Sequence, residues 1–358
     1  MKIAKLATLS LLVSGHLAAQ GIEVSGTISH IITERKPSKL LNKDIEQPKE
    51  IRLLKIKLSD KERKLLQLKA KNALKPINQF TNSGGPKQIQ LGMNNVPVLD
   101  QGRHGTCVTF AVTAAIDAAL DKGDYVSQLC QLQLGNYLAE NGYNASGWDG
   151  SLGRVVLNQM ETFGIVNKTH EAKVGCGGLN SYPHGGADPT TPMALEEFHA
   201  ISEPLTLDEI QTSPILDPFQ ATNDRVDTNK TLAEVKKALL AGDRVTFAVL
   251  LVDYDLGVSG AVGTKNARND SWVLTPIIAR DAWLNPEFVG GHEMVITGFD
   301  DNAVAKDNEG NKHRGLLTLR NSWGKNLGDN GNFYMSYDYF KVLAFEAQRI
   351  RTIKSKEM

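Results

Sequence analysis

The sequence predicts an α+β fold of two lobes, on three observations. Apolar residues fall at helical spacing after Cys107 and again in the stretch GSLGRVVLNQMETFGIV. Residues 244–252 and 292–298 alternate as strands do. The chain has 358 residues, 41% of them hydrophobic, which is too long for one small module and apolar enough for a sizeable core. Forty Lys+Arg balance forty Asp+Glu, which argues against a uniformly basic nucleic-acid binder. Three cysteines are too few for a disulfide scaffold or a Cys-rich zinc module.

The charge balance hides an asymmetry. Residues 20–88 hold fifteen Lys+Arg against seven Asp+Glu, whereas residues 89–358 hold twenty-three against thirty-three. A basic front piece therefore precedes an acidic body, a pattern that hints at an intramolecular or processing relationship.

Residues 1–19, MKIAKLATLSLLVSGHLAA, set Lys2 and Lys5 before a short apolar run and end on small residues. This is the layout of a secretory signal peptide, and the run is short for a membrane span. The expectation is an exported protein, extracellular or periplasmic, with no membrane segment after cleavage. In residues 20–88, Ile22, Val24, Ile28 and Ile32 recur at even spacing. Ile51 to Leu58 alternate apolar and basic with one slip. Two strands follow from this. Ser59 and Glu62 form a capping box that opens a helix ending near Pro76, and TNSGGP then reads as an exposed linker. The front piece is a strand–strand–helix module.

Three segments of the body carry chemistry. In VPVLDQGRHGTCVTFAVTAAIDAAL, residues 96–120, Val96 to Leu99 suggest a short strand and Gly102 and Gly105 a tight turn. Cys107 then begins a helix, where unpaired N–H groups and the macrodipole favour a thiolate. Gln101 lies across the turn, its amide able to point back beside the sulfur. In GGHEMVITGFDD, residues 290–301, His292 opens a strand. In GLLTLRNSWGKNLGDNGNFYMSYDYF, residues 315–340, a strand delivers Asn321 and Trp323. Asn321 is placed to fix the tautomer of an imidazole.

These segments resemble the papain-like cysteine proteases (the papain family, C1 peptidases). The Q-G-x-x-G-x-C motif stands as Gln101, Gly102, Gly105 and Cys107. The His-led strand that runs to G-F-D is His292 with Gly298, Phe299 and Asp300. The N-S-W-G string is Asn321 to Gly324, followed by Gly328, Gly331 and Phe333. The resemblance covers residues 89–358. It implies a helical lobe carrying Cys107 and an antiparallel β-barrel-like lobe carrying His292 and Asn321, with a cleft between them. It further implies that Cys107 is the nucleophile, His292 the acid and base, and Asn321 the orienting partner. Trp323 would shield the imidazole, and Gln101 with the Cys107 N–H would form an oxyanion hole. Gly105 and the Gly147–Gly150 stretch, Gly150 included, would line the cleft.

The departures bear on specificity. Val108 follows the cysteine where the family usually has Trp, which changes one wall of the cleft. His104 replaces a common disulfide cysteine and reads as a surface loop residue. Glu293 follows His292, either raising the imidazolium pKa or pointing to the other face of the strand. With Cys107 reserved for catalysis, Cys130 and Cys176 are expected to pair, the alternative being two buried free thiols. Residues 177–230 and 255–289 read as insertions that shape the cleft rim. Thr231 and Glu234 form a capping box for a helix through Leu240.

The expected function is hydrolysis of protein or peptide substrates through an acyl-enzyme thioester. No cofactor or metal is expected beyond a reduced thiol, and the chain is expected to act as a monomer. Residues 20–88 are expected to be a propeptide docked on the body. Two alternatives remain: an acyl transferase of transglutaminase type, which usually pairs its imidazole with Asp, and an inactive adhesion module on the same fold.

Overall fold

The computed structural model describes residues 22–38, 43–73, 86–143, 147–205, 209–221, 226–252, 270–284, 289–307 and 309–353. The signal-like segment 1–19 and nearly all of the TNSGGP stretch lie outside the described residues.

The front module is a long antiparallel hairpin, β1 (Ile22–Ser38) and β2 (Lys43–Leu58), followed by α1 (Asp60–Ala73). The slip in the apolar pattern matches an irregularity between Val24 and Thr27, where Gly26 has φ +118°. The Ser59 hydroxyl accepts the Glu62 N–H at 3.5 Å, so the helix starts where the capping box says. This module is no detached unit. Ile51, Leu53 and Leu54 are fully buried and belong to the same apolar core as the body. Each such side chain contributes roughly 1.5–3 kcal/mol when withdrawn from water.

After β3 (Gln88–Gln90) come α2 (Cys107–Leu120), α3 (Gln128–Glu140), α4 (Gly153–Phe163), α5 (Lys168–Val174) and α6 (Leu195–His199). Local chemistry sets their ends. Ser127 caps α3 by accepting the Cys130 N–H at 2.9 Å, Asn167 caps α5, and Gly164 ends α4 at φ +86°. Cys130 and Cys176 form a disulfide with Cα atoms 5.1 Å apart. Around it Phe110, Leu129, Leu132, Trp148 and Phe198 form the core of the helical lobe.

The second lobe comprises β4 (Ile210–Leu216), α7 (Pro218–Ala221), α8 (Thr228–Leu240), β5 (Arg244–Val252), β6 (Ser271–Trp272), α9 (Pro276–Leu284), β7 (Val289–Lys306), β8 (Lys312–Arg320), β9 (Asn332–Ser336), α10 (Tyr337–Leu343) and β10 (Ala344–Thr352). The sheet order is β4-β10-β5-β7-β8-β9-β6, antiparallel except for the β6–β9 pair. Both β2 and β3 add themselves to β7. β5 is buried along its whole length because helices of both lobes pack on it.

Two expectations are corrected. Val96–Leu99 form no strand; the segment is held by the Gly324 N–H on the Leu99 carbonyl and an isolated bridge from Asp100 to Trp323. α8 begins at Thr228, because Asp227 accepts the N–H groups of Asn229 and Lys230 and outcompetes the Thr231 box as the cap. Among the described residues, no helix is long and apolar enough to cross a membrane.

Candidate active site

β7 brings His292 to the first turn of α2, and the loop after β8 brings Asn321 and Trp323 beneath it. Ser322 donates its backbone N–H to Asn321 Oδ1 at 2.7 Å, which fixes the orientation of the amide. That oxygen also faces His292 Nε2 at 2.8 Å. Nε2 therefore carries the proton and donates it, leaving the lone pair on Nδ1. His292 Nδ1 has no hydrogen-bond partner among the described residues. The Trp323 ring stacks on the imidazole with centroids 4.6 Å apart and excludes water from its hydrogen bond.

Cys107 opens α2 as the sequence requires. The backbone N–H groups of Glu293, Val108 and Cys107 itself act on its sulfur and favour the thiolate. Burial outweighs them. It pushes the Cys107 thiol up to about 12, against the lowered value that its helix position suggests. Burial likewise pulls His292 down to about 4, against a smaller raising effect of Asn321. In this covered form burial disfavours the charged form of both groups.

Gln101 is held from two sides. Ser322 Oγ donates to Gln101 Oε1 at 2.8 Å, and the Gln101 N–H donates to the Ser322 carbonyl at 2.8 Å. Its Nε2 then points to the His104 carbonyl at 2.9 Å and the Arg52 carbonyl at 3.4 Å. Thus N-S-W-G does two jobs here: Asn321 orients the imidazole and Ser322 orients the amide.

The cover is the β1–β2 hairpin. Leu54 and Lys55 pair with Gly291 and Gly290, the two residues before His292. Leu54 lies against Gly150 and Thr27 against Gly105, where a Cβ would overlap them. Lys49 donates to Asp100 and to the Trp323 carbonyl, each at 2.7 Å. Arg103 pairs with Glu50, and Arg52 with Asp188 at 2.6 Å. Lys49–Asp100 and Arg52–Asp188 join the basic front to the acidic body, whereas Arg103–Glu50 runs the other way.

Several placements were not legible beforehand. Val108 is buried in the core at the base of α2. Glu293 points away from the imidazole to the other face of β7, fully buried beside Gly153 and Glu346. His104 is not a surface residue. It is fully buried, edge-on to Trp148 and Tyr182, with Nδ1 2.5 Å from Asp188 Oδ1. Tyr182 and Asp188 come from the 177–230 stretch, more than seventy residues away, and Trp148 from beyond α3, so no local pattern pointed to them.

The model of the Peptidase C1-like family matches residues 286–356, which contain His292 and Asn321. Cysteine proteinase 1 of Entamoeba histolytica is 25% identical over 278 residues, 76% of this chain and 70% of its own. Among solved structures, xylellain, a cysteine protease from Xylella fastidiosa, is 21% identical with a TM-score of 0.46, covering 75% of this chain and 87% of its own. Digestive procathepsin L 3 of Tenebrio molitor larval midgut is 15% identical with a TM-score of 0.43, covering 82% and 78%. Three motif segments in family order, the family model over residues 286–356 and a curated relative aligned over 76% of this chain make the chain similar to the papain-like cysteine proteases and mark it as a cysteine-type peptidase.

Proposed function

We propose that the chain is the zymogen of an exported peptidase using Cys107, His292 and Asn321, with residues 20–88 as its inhibitory propeptide. The observation that carries this reading is the Arg52 carbonyl facing Gln101 Nε2 at 3.4 Å, a backbone carbonyl at the donor that a scissile carbonyl would use. The Cys130–Cys176 disulfide and the signal-like residues 1–19 support an oxidising destination.

Once the hairpin leaves, water returns to the cleft and the penalty on charge falls. The Cys107 proton passes to His292 Nδ1, and the sulfur attacks the scissile carbonyl carbon. The oxyanion is held by Gln101 Nε2 and the Cys107 N–H. The C–N bond breaks as His292 returns the proton to the leaving amine, leaving a thioester. Water then attacks while His292 takes its proton, and the carboxylic acid and the thiol are released. Asn321 keeps the imidazole in the tautomer that each step needs.

The test is incubation of the purified precursor under reducing conditions, with N-terminal mapping of the products. The expected result is cleavage near residues 80–92 that is absent in Cys107→Ala. A precursor that is fully active while uncut would make the front module a permanent domain.

A further inference from the structure

The hairpin residue whose carbonyl lies at Gln101 is an arginine, and its side chain has a partner built by the body. Arg52 reaches Asp188 Oδ2 at 2.6 Å, while Asp188 Oδ1 is taken by His104 Nδ1 at 2.5 Å. One carboxylate is thus shared between a buried imidazole and an incoming guanidinium. The loop that carries it is braced on the Gln101–Cys107 turn. Tyr182 Oη donates to the Gln101 carbonyl at 2.8 Å and lies 2.8 Å from Thr106 Oγ1. The Arg103 N–H donates to the His184 carbonyl at 3.2 Å, and Tyr182 stacks on Trp148. Asp188 is therefore tied to the atoms that would hold the scissile carbonyl. The neighbouring acid, Asp100, is already engaged by Lys49.

We infer that Asp188 is a specificity-determining residue that selects a basic side chain, arginine above all, on the substrate residue whose carbonyl is attacked. Arg52 occupies that subsite as a mimic in the covered form. The inference rests on the peptidase reading above and deepens it. Arg52 gives Asp188 one charge-assisted N–H bond, to the oxygen that His104 leaves open, and the pair is only 21% and 24% exposed, so it is stronger than a fully exposed one; arginine also keeps its charge at every working pH. His104 keeps the carboxylate facing the cleft.

The experiment uses the full-length chain activated under reducing conditions. Reactive Cys107 is titrated with an irreversible thiol-directed peptidyl probe, which reports the peptidase reading by itself. Peptides that differ only by Arg, Leu or Glu at the residue before the cleaved bond are then compared by kcat/KM. The Arg-to-Leu ratio cancels any loss of folded enzyme. In the unaltered chain it is expected to exceed about tenfold, the scale of a charge-assisted hydrogen bond. Asp188→Asn brings it close to unity, and Asp188→Lys inverts the preference from Arg to Glu. An Arg-to-Leu ratio near one in the unaltered chain, or one left intact by Asp188→Asn, overturns the inference while probe labelling leaves the peptidase reading standing. A Cys107 that no probe labels removes both.

Discussion

The sulfur of Cys107 faces the backbone N–H of Glu293, the residue after His292. Thiol and imidazole are therefore placed by one junction between α2 and β7, and any force that parts the lobes separates them. That junction is buried while β2 lies across it.

The first prediction concerns the thiol. With Cys107 pushed up to about 12, iodoacetamide should alkylate the uncut precursor slowly at neutral pH, the rate climbing only in strong alkali. Replacing Lys49 and Arg52 by Ala removes two anchors of β2. The neutral-pH rate should then rise by about tenfold or more, the scale of one charge-assisted hydrogen bond. Identical pH profiles for the two proteins would show that the hairpin does not set the thiol's environment.

The second prediction concerns Glu293. Burial, then the charge of Glu346, holds its carboxyl well above the usual range, so the native state prefers it protonated. Its contribution to stability is fully present below the unfolded value near 4.5 and is lost as pH rises toward the folded one. Glu293→Gln keeps the shape and removes that dependence. Thermal unfolding at neutral pH should shift upward by about 2–4 °C for each kcal/mol recovered, and the gain should shrink at acid pH. A variant less stable at every pH would give Glu293 a different role.

The third prediction separates the two halves of N-S-W-G. Asn321→Ala frees the imidazole to rotate, and misplacement on the scale of an ångström costs about 10²-fold in kcat. Ser322→Ala instead unties Gln101, whose own loss as Gln101→Ala should cost about 10²–10³ in kcat. Active-site-titrated kinetics would separate them, with the pH–rate profile moving in Asn321→Ala and not in Gln101→Ala.

The fourth prediction concerns the disulfide, which joins residues 46 apart in the core of the helical lobe. Replacing Cys130 and Cys176 together by Ala should lower stability by about 2–4 kcal/mol. Differential scanning calorimetry would read this as a drop in Tm, with activity per folded molecule retained.

Much of this molecule was legible because its signals are local. Apolar spacing with a glycine turn set α2 and put Cys107 at its first residue, and Ser59 marked the start of α1. The resemblance then ordered Cys107, His292 and Asn321. Where local signals competed, reading failed. Asp227 and Thr231 both offer a cap for α8, and only the backbone geometry chose Asp227.

By itself the sequence determined the hairpin and helix of the front module, α2, the strands of His292 and Asn321, the candidate groups and the opposition of a basic front to an acidic body, because each is written in residues near one another. Only the tertiary structure decided what those groups do to one another. It buried His104 against Asp188, turned Glu293 from His292, and laid β2 over the cleft so that burial overrides the helix N-terminus at Cys107. Desolvation and long-range pairing depend on which distant segments meet, and no local pattern of side chains specifies that.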